Sequence, residues 1–535
     1  MHPFRERLAG LRAELARQGV EGALVPRADE HLGEYVPPSA ERLAWLTGFS
    51  GSAGLAVILP DRAALFTDGR YVTQAAEQTD PALWQVRHIT NEPPPGWIKD
   101  AAPAARIGYD PWLIGEEALA RYTEAGIAMV ALERNPIDAV WPDRPPPPAA
   151  PAVPYPLALA GKDAEEKRAE IAEALRDAGQ DAAIISDPAS LAWLFNLRGE
   201  DVAFTPIALG FGLVRADATA TLFMAPAKLP AETRAWLGNA VACEPRAALS
   251  DALAALRGKT VRVDPAGTPA WFAHTLRAAG ANVAAGPDPC LLPKACKNPV
   301  EQEGARAAHR RDAVAMCRFL HWFAAAAPAG GQTERSAAAR LLALRAEGER
   351  FRGESFPAIA GAGEHGAIIH YRVTEASDRP IRPDELFLID SGAQYLDGTT
   401  DITRTLWTGP GTPPEGLRER WTRVLQGMIA IATLVFPEGL NGAHLDAFAR
   451  RALWQAGLDY DHGTGHGVGA YLSVHEGPVS LSRLARPVAI APGMILSDEP
   501  GLYVPGQYGI RLENLLLVQP AALPDAQSRF CASRR

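Results

Sequence analysis

The chain has 535 residues, of which 47% are hydrophobic and 21% charged, and its formal net charge is −9. This composition is typical of globular proteins, and the length predicts about three domains at roughly 100–200 residues each. The negative net charge argues against a nucleic-acid backbone as a partner.

The first predicted elements are an amphipathic helix and a strand, in the segment RERLAGLRAELARQGVEGALV (residues 5–25), where Gly19 follows the last helical apolar position. Residues 167–185, KRAEIAEALRDAGQDAAII, repeat this order of charged helix, glycine and apolar strand. The phrase LAWL follows each copy, at residues 43–46 and 191–194. Alanine-rich helices can resemble one another by chance, but the repeated LAWL favours two related α/β domains.

Two segments predict the domain boundaries. Residues 141–156, WPDRPPPPAAPAVPYP, predict a stiff, extended linker because proline restricts the backbone. A second boundary is predicted near residues 292–300, and a long helix follows it at residues 301–325. Beyond that helix, further helices alternate with strands rich in valine, leucine and isoleucine. We therefore predict domains at residues 1–150, 151–297 and 298–535.

Carboxylates are concentrated in four short segments of the last predicted domain, and two of these place an acid within an apolar strand. Asp390 follows LFLI, and Glu513 lies between IRL and LLLV. A lone ionised acid is costly to bury in such a strand, and basic residues are scarce nearby apart from Arg404 and Arg511. We therefore expect a metal ion to neutralise these acids. The four segments are FLIDS (387–391), TTDITRT (399–405), SDEPGLY (497–503) and GIRLENL (509–515).

The segment DHGTGHGVGAYLSVHEG, at residues 461–477, holds three histidines among alternating glycines. The glycines disfavour a helix. In an extended chain, His462 and His466 would lie ~13 Å apart, which is too far for both to bind one ion. One of them is therefore expected to be a ligand, and the other to have a different role.

The number of acidic residues suggests two metal ions. Asp390, Asp401, Glu499 and Glu513 carry four negative charges, which two divalent cations balance and one does not. An oxygen-rich set with one imidazole and no thiolate suits Mn²⁺, Fe²⁺ or Co²⁺ better than a structural zinc site. We expect Mn²⁺ first, with Co²⁺, Fe²⁺ or Zn²⁺ as alternatives. Two ions about 3.5–4 Å apart can share a water and lower its pKa.

The spacing between the two aspartates leaves one step open. If residues 397–398 (Asp-Gly) form a two-residue hairpin turn, Asp390 and Asp401 share a face but remain offset by four residues, ~13 Å. The second strand would then have to bend or bulge to bring them together.

These motifs resemble those of the two-metal "pita-bread" peptidases, which include methionine aminopeptidase, prolidase and aminopeptidase P. The metal ligands fall in that family's order of Asp, Asp, His, Glu and Glu. The chain is most similar to the large, three-domain, cytosolic type of aminopeptidase P, and the likeness covers nearly its whole length. The phrases that carry it are AIIHY (367–371), HGTGHGVG (462–469), VHEGP (474–478), DEPGLY (498–503), IRLEN (510–514) and TDGRY (67–71).

The resemblance implies an α/β fold: two creatinase-like α/β domains followed by a pita-bread catalytic domain. It also implies which residues bind metal. Asp401 and Glu513 would bridge two ions, Asp390 would complete the shell of one, and His466 and Glu499 would complete the shell of the other.

The same resemblance implies the catalytic residues. His370, His462 and His475 would shuttle protons and hold the scissile peptide, and Arg511 would steady the bridging glutamate. Taken alone, His370 could also be an ordinary histidine of a strand, and Arg511 could be a simple counter-ion.

The implied reaction is hydrolysis of the first peptide bond of peptides with proline at position 2, by a hydroxide bridging the two ions. The bond to proline is a tertiary amide without an N–H. A homodimer is also implied. The main alternative is a prolidase, which is restricted to dipeptides and normally has one N-terminal domain. Metal-free relatives, namely creatinase and pita-bread binding proteins such as histone chaperones, are expected to lack several of the five ligands.

Two further expectations concern the cell and the chain end. Five cysteines without CxxC spacing fit a reducing compartment, the N-terminal segment is too charged for a signal peptide, and no apolar run approaches ~18 residues. We therefore expect a cytoplasmic protein with no membrane or nucleic-acid partner.

The tail VQPAALPDAQSRFCASRR (518–535) is polar, ends 22 residues after Glu513 and shows no clear element. Large members of the family usually continue further, which leaves stability or dimer contacts in question.

Overall fold

The structure, a computed structural model, describes residues 3–524 and 528–534. The chain divides into two compact units, residues 1–155 with 162–290, and residues 156–161 with 291–535. Within the described ranges, no helix combines the length and apolar character needed to cross a membrane.

The helices alternate with strands along most of the chain. In chain order they are α1 (Pro3–Arg17), α2 (Arg42–Thr47), α3 (Val72–Gln78), α4 (Pro94–Ala101), α5 (Glu116–Glu124), α6 (Pro136–Val140), α7 (Leu157–Ala160), α8 (Ala164–Asp177), α9 (Pro188–Leu194), α10 (Ala231–Leu237), α11 (Leu249–Ala254), α12 (Ala270–Ala279), α13 (Leu291–Ala295), α14 (Pro299–Ala329), α15 (Glu334–Ala346), α16 (Glu415–Ala432) and α17 (Gly442–Trp454).

The strands are β1 (Gly22–Pro26), β2 (Leu55–Ile58), β3 (Ala63–Thr67), β4 (Gln85–His88), β5 (Arg106–Tyr109), β6 (Ala128–Ala131), β7 (Val153–Pro154), β8 (Ala182–Ile185), β9 (Leu197–Arg198), β10 (Phe211–Arg215), β11 (Ala220–Phe223), β12 (Val241–Glu244), β13 (Thr260–Val263), β14 (Asn282–Ala285), β15 (Phe351–Glu354), β16 (Ile359–Ala362), β17 (Leu386–Ser391), β18 (Ala393–Tyr395), β19 (Gly398–Thr399), β20 (Ile402–Trp407), β21 (Val435–Pro437), β22 (Gly465–Gly467), β23 (Glu476–Leu481), β24 (Ile495–Asp498), β25 (Gly501–Val504), β26 (Tyr508–Arg511), β27 (Asn514–Ala521) and β28 (Phe530–Arg534). Single turns of 3-10 helix cover Pro38–Ala40, Pro226–Lys228, Arg246–Ala248 and Gly363–Ala367.

The first unit contains the same mixed sheet twice. The strand orders are β4-β3-β2-β1-β5-β6 and β12-β11-β10-β8-β13-β14. In the first sheet β2 is antiparallel to its neighbours β1 and β3, and in the second sheet β10 is antiparallel to its neighbours β8 and β11. The other neighbouring strands of both sheets are parallel. Gly19 and Gly179 end α1 and α8 in the left-handed conformation, with φ of 71° and 64°. The predicted repeat is therefore confirmed.

The N-terminal helix of each sheet buries its apolar stripe, as the spacing of its residues requires. Leu8, Leu11 and Leu15 of α1 are buried in one core with Phe49 and residues of the sheet. The repeated LAWL phrase lies in α2 in the first copy and in α9 in the second. The domain boundaries predicted at residues 150 and 297 remain predictions.

The second unit is organised around the long helix α14, which was predicted from residue 301 and begins at Pro299 after its N-cap, Asn298. Phe323 of this helix stacks on Phe387 of β17, with ring centroids 4.8 Å apart. Phe387 and Ile389 both belong to the core beneath α14. Because successive strand residues face opposite ways, Asp390 faces away from this core.

The hairpin that carries the two aspartates differs from the expectation. Its turn lies at residues 396–397 rather than 397–398, because Tyr395 of β18 pairs with Gly398 of β19. In this register Asp390 pairs with Thr403. Asp401 is therefore offset from Asp390 by two residues, a diagonal spacing of about 7–8 Å, and the expected four-residue offset is wrong.

The prediction that the tail has no element is also wrong. Strand β28 pairs with β27 on one side and β21 on the other, in the sheet β21-β28-β27-β24-β22-β23. Cys531 and Ala532 are buried there. The apolar residues of β28 are too few to give a periodic pattern in the sequence. Pairing with β27 and β21 stabilises this strand. Residues 525–527 and 535 of the tail lie outside the described residues.

Candidate metal centre

Three side chains from distant parts of the chain form a compact group of possible metal ligands. One ligand atom from each of Asp401, His466 and Glu513 lies within 4.8 Å of the other two. Nε2 of His466 is 3.3 Å from Oε1 of Glu499 and 3.6 Å from Oδ2 of Asp401. Four parts of the chain thus meet at one point: the hairpin, β22, the end of β24, and the break between β26 and β27.

Asp390 joins this group electrostatically. Its charge contributes to raising the pKa of Asp401, Glu499 and Glu513, so it lies close to all three. We call Asp390, Asp401, Glu499 and Glu513 the acid cluster.

The acid cluster is too crowded to ionise fully on its own. Burial, followed by the charges of Asp390 and Glu499, raises the pKa of Asp401 well above its usual range. Burial and the neighbouring carboxylates raise the pKa of Glu513 in the same way, and the pKa of Glu499 rises to about 7. The guanidinium of Arg511 opposes the shifts of Asp401 and Glu499, yet one cation does not balance four carboxylates.

The donor set fits divalent cations. Among the described residues, Oδ1 of Asp390 and Oδ1 of Asp401 have no hydrogen-bond partner although both are buried, which is costly for a carboxylate unless a cation binds it. Nδ1 of His466 is 2.9 Å from the carbonyl of Gly467 and must donate to it. The Nε2 lone pair therefore points towards the carboxylates, as a metal-binding imidazole requires.

Neighbouring hydroxyl groups orient the carboxylates. Oγ1 of Thr403 donates to Oε2 of Glu513 at 2.6 Å. Oγ of Ser497 donates to Oε1 of Glu499 at 3.1 Å and accepts from the backbone N–H of His466 at 2.9 Å. Gly465 permits this approach, because a Cβ there would lie 2.0 Å from the carbonyl oxygen of Ser497.

The two histidines of the glycine-rich segment have different partners. The segment is not helical, and its strand covers only Gly465–Gly467. Nδ1 of His462 donates to the carbonyl of Gly463 at 2.7 Å, and its Nε2 lies 2.9 Å from the hydroxyl of Tyr503. His466 instead faces the acid cluster. This difference agrees with the expectation that the two have separate roles.

The other two predicted catalytic histidines, His475 and His370, have different neighbours. The ring of His475 is nearly perpendicular to that of His466, with centroids 4.4 Å apart. His370 lies in a turn after the 3-10 helix Gly363–Ala367, so the alternative of a strand histidine is wrong. Its neighbour Tyr371 anchors this turn by donating from its hydroxyl to Glu334 at 3.0 Å.

Arg511 contacts a different acid from the one that the resemblance implies. Its Nη2 donates to Oδ2 of Asp390 at 2.6 Å, and its Nη1 donates to the hydroxyl of Tyr503 at 2.7 Å. Thr403, rather than Arg511, donates to the carboxylate of Glu513. The guanidinium therefore acts as a counter-ion that steadies Asp390.

Sequence reasoning missed three residues of the site. Tyr503 links Arg511 to His462, while Thr403 and Ser497 hold carboxylates of the acid cluster. All three lie inside the acidic segments TTDITRT and SDEPGLY, and this position is the feature of the sequence that could have identified them.

Comparison with known families agrees with the repeated sheets and the last unit. A sequence model of metallopeptidase family M24 matches residues 303–520. Two models of the creatinase/prolidase N-terminal domain match residues 7–133 and 143–301. The predicted fold, two creatinase-like domains followed by a pita-bread domain, is confirmed.

Two curated relatives align over almost the whole chain. A probable Xaa-Pro aminopeptidase P of Ajellomyces dermatitidis is 38% identical over 540 residues, covering 96% of this chain and 87% of that protein. A probable Xaa-Pro aminopeptidase P of Neosartorya fischeri is 39% identical over 538 residues, covering 96% and 81%.

Solved structures give the same fold. The X-prolyl aminopeptidase of Caenorhabditis elegans, described as a cytosolic enzyme with a di-nuclear active site, matches with a TM-score of 0.93. It is 31% identical, and the match covers 100% of this chain and 90% of that one. The prolidase of Pyrococcus furiosus matches with a TM-score of 0.53 and 21% identity, covering 68% of this chain and 98% of that one.

Proposed function

The chain belongs to metallopeptidase family M24, and on that premise we propose that it is a metal-dependent Xaa-Pro aminopeptidase. It would hydrolyse the first peptide bond of peptides whose second residue is proline. The observation that carries this proposal is the compact group formed by Asp401, His466 and Glu513, whose ligand atoms lie within 4.8 Å of one another. The whole-length relatives named Xaa-Pro aminopeptidase P support the same substrate class.

The acid cluster and His466 would hold two divalent cations. Asp401 and Glu513 would be shared between them, Asp390 would complete one shell, and His466 and Glu499 the other. Two such cations supply a hydroxide nucleophile at neutral pH and polarise the scissile carbonyl. Mn²⁺ is the ion that we propose, because oxygen ligands with one imidazole suit it.

The histidines would handle protons and substrate. The leaving group is a proline nitrogen, which carries no hydrogen of its own in the peptide and must receive one. We assign this transfer to His462, whose Nε2 would take up the proton that the attacking water releases and deliver it to the proline nitrogen. This Nε2 lies 2.9 Å from the hydroxyl of Tyr503. His475, whose ring packs against that of His466, would orient the peptide. A similar role for His370 is supported by the resemblance alone.

A comparison of three substrates tests this function against prolidase activity. The prolidase of Pyrococcus furiosus matches only 68% of this chain, so it has no counterpart for the remainder. We expect release of alanine from Ala-Pro-Ala, much slower cleavage of the dipeptide Ala-Pro, and almost none of Ala-Ala-Ala. Cleavage of Ala-Pro alone would instead identify a prolidase.

Two further parts of the proposal concern the assembly of the protein and its cell compartment. We propose a homodimer by family resemblance, and light scattering should then give twice the chain mass of 57.1 kDa. A particle of a single chain at all working concentrations would contradict it. We propose a cytoplasmic location because the C. elegans enzyme is described as cytosolic. Cell fractionation tests this location.

A further inference from the structure

A second buried ionic group includes Glu476, the residue after His475. Glu476 is 3% exposed. Nζ of Lys294 donates to its Oε2 at 3.1 Å, and Nζ of Lys297 donates to its Oε1. The two lysines are 3% and 4% exposed. We call these three residues the lysine–glutamate cluster.

The lysine–glutamate cluster places two lysines against one carboxylate in the interior. Burial opposes ionisation of Glu476, but the two ammonium groups outweigh it and hold the pKa of this carboxyl below its usual range. Glu476 is therefore ionised, and two lysines share one carboxylate. Buried ion pairs contribute little net stability compared with apolar residues of similar volume, so stability alone gives little reason for such a cluster.

The geometry connects Glu476 with His466 and His475. Glu476 is the first residue of β23, and its backbone partner is Gly467, which follows His466. The approach is close, because a Cβ on Gly467 would lie 2.2 Å from the carbonyl oxygen of Glu476. The side chain of Glu476 contacts the two lysines, whereas the ring of His475 packs against that of His466.

The cluster also reaches the strand that leads to Glu499. The backbone N–H of Lys297 donates to the carbonyl of Gly493 at 3.0 Å, just before β24. Gly493 has φ of 91°, and a Cβ there would lie 2.8 Å from the carbonyl oxygen of Lys297. The segment 294–297 therefore contacts both Glu476, the first residue of β23, and Gly493, two residues before β24.

We propose that Glu476, held by Lys294 and Lys297, is a positioning residue that sets the ring of His475 against that of His466. This inference rests on the proposed function, because it requires that His475 orients the peptide. The cluster acts through the backbone that Glu476 shares with His475.

The contacts of Glu476 select the variant to test. Glu476→Gln removes the carboxylate that both buried lysines contact, so it is expected to fold poorly. Lys297→Met keeps the stem volume and retains the contact between Lys294 and Glu476, so it should fold. We expect Lys297→Met to lower kcat about 10–100-fold, because small misplacements of an orienting group have this effect. Metal content should remain that of the wild type. Lys294→Met is the second variant, and the same result is expected.

A double-mutant cycle separates positioning from general structure. In the His475→Ala background, Lys297→Met should cause no further loss of kcat, because the group through which it acts is absent. A merely structural role would lower kcat by the same factor in both backgrounds, and that result would overturn the inference. Unchanged kcat in Lys297→Met and Lys294→Met would overturn it as well.

Two further comparisons complete the test. Lys228, buried and paired with Asp201 in the other unit, provides a matched control. Lys228→Met should lower the melting temperature and leave kcat unchanged. If His475→Ala itself keeps wild-type kcat, the role given to His475 under the proposed function is wrong and the inference falls with it. If His475→Ala loses activity but neither lysine variant does, the inference alone fails.

Discussion

Nη2 of Arg511 lies 2.6 Å from Oδ2 of Asp390, although the two residues are 121 positions apart in the chain. The same guanidinium donates through Nη1 to the hydroxyl of Tyr503 at 2.7 Å, and that hydroxyl lies 2.9 Å from Nε2 of His462. Because the oxygen of Tyr503 accepts from Arg511, its proton is available to His462. Two side chains, Arg511 and Tyr503, therefore link a proposed metal ligand to a residue that we propose handles protons.

Arg511→Lys should weaken metal binding and lower the rate together. A lysine ammonium is a compact point charge, so it cannot replace the planar guanidinium that contacts both Asp390 and Tyr503. Loss of such an outer contact typically costs about 10–100-fold in metal affinity or activity. Competitive titration with a fluorescent chelator measures the affinity. Unchanged affinity and unchanged kcat would contradict this linkage.

Arg42→Lys is the matched control for that variant. Arg42 is also almost fully buried, and it donates from two nitrogens to one aspartate, Asp138, in the first unit. We expect it to lower stability without changing metal affinity. An equal loss of affinity in both variants would show that the effect of Arg511→Lys is general destabilisation.

His466→Ala and His462→Ala should differ in metal content. Nε2 of His466 faces Asp401 and Glu499, so His466→Ala should lose metal as well as activity. His462→Ala should keep its metal and lose rate, about 10²–10⁴-fold if it acts as a general acid or base. His475→Ala should behave like His462→Ala. Elemental analysis beside turnover checks all three, and metal-free His462→Ala with fully loaded His466→Ala would reverse the assignment.

Asp401→Asn should be more damaging than a change in a ligand of one ion. Asp401 is proposed to be shared by both cations, whereas Glu499 would bind one. We therefore expect Asp401→Asn to lose both ions and Glu499→Gln to retain one. Isothermal titration of each metal-free variant with Mn²⁺ gives the stoichiometry. Equal stoichiometry in the two variants would rule out a bridging role for Asp401.

The metal-free protein should lose stability as the pH rises. Burial, together with the charge of Asp390, raises the pKa of Glu499 to about 7 from its ordinary 4.5. Between these values the folded protein binds more protons than the unfolded chain. The free energy of unfolding therefore falls as the pH increases through this range, and the stabilising contribution of protonation is lost above about 7.

Bound divalent cations should remove this pH dependence, because they replace the protons. Melting temperatures between about pH 5 and pH 8, measured with EDTA and with Mn²⁺, provide the test. We expect a decline with EDTA and a much smaller one with Mn²⁺. Parallel curves in the two conditions would contradict the proposed binding of metal by the acid cluster.

The elements that carry the site were predictable where the sequence pattern is local. The run LFLI before Asp390 identified β17, and the spacing of apolar residues identified α14. The hairpin register was not predictable in this way. The dipeptide Asp397-Gly398 is a strong local turn signal, but the turn lies one residue earlier.

Tertiary contacts explain that shift. The carboxylate of Asp397 accepts from Nη1 of Arg350 at 2.9 Å and also from Arg311 of α14. Gly398 packs against α14, where an added Cβ would lie 3.0 Å from Cα of Ala305. These partners are remote in sequence, so no local pattern contains them. The lysine–glutamate cluster was missed for the same reason, since Glu476 and Lys294 are 182 positions apart.

A metal titration of the demetallated full-length protein, followed by Ala-Pro-Ala hydrolysis, tests the proposed two-metal peptidase activity. Mn²⁺ is added in small steps, and bound metal and released alanine are measured in the same samples. We expect no turnover without metal, and activity that rises until two ions are bound per chain and then stays constant. Full turnover in the demetallated protein, or metal binding with no cleavage of Ala-Pro-Ala, would contradict this proposal.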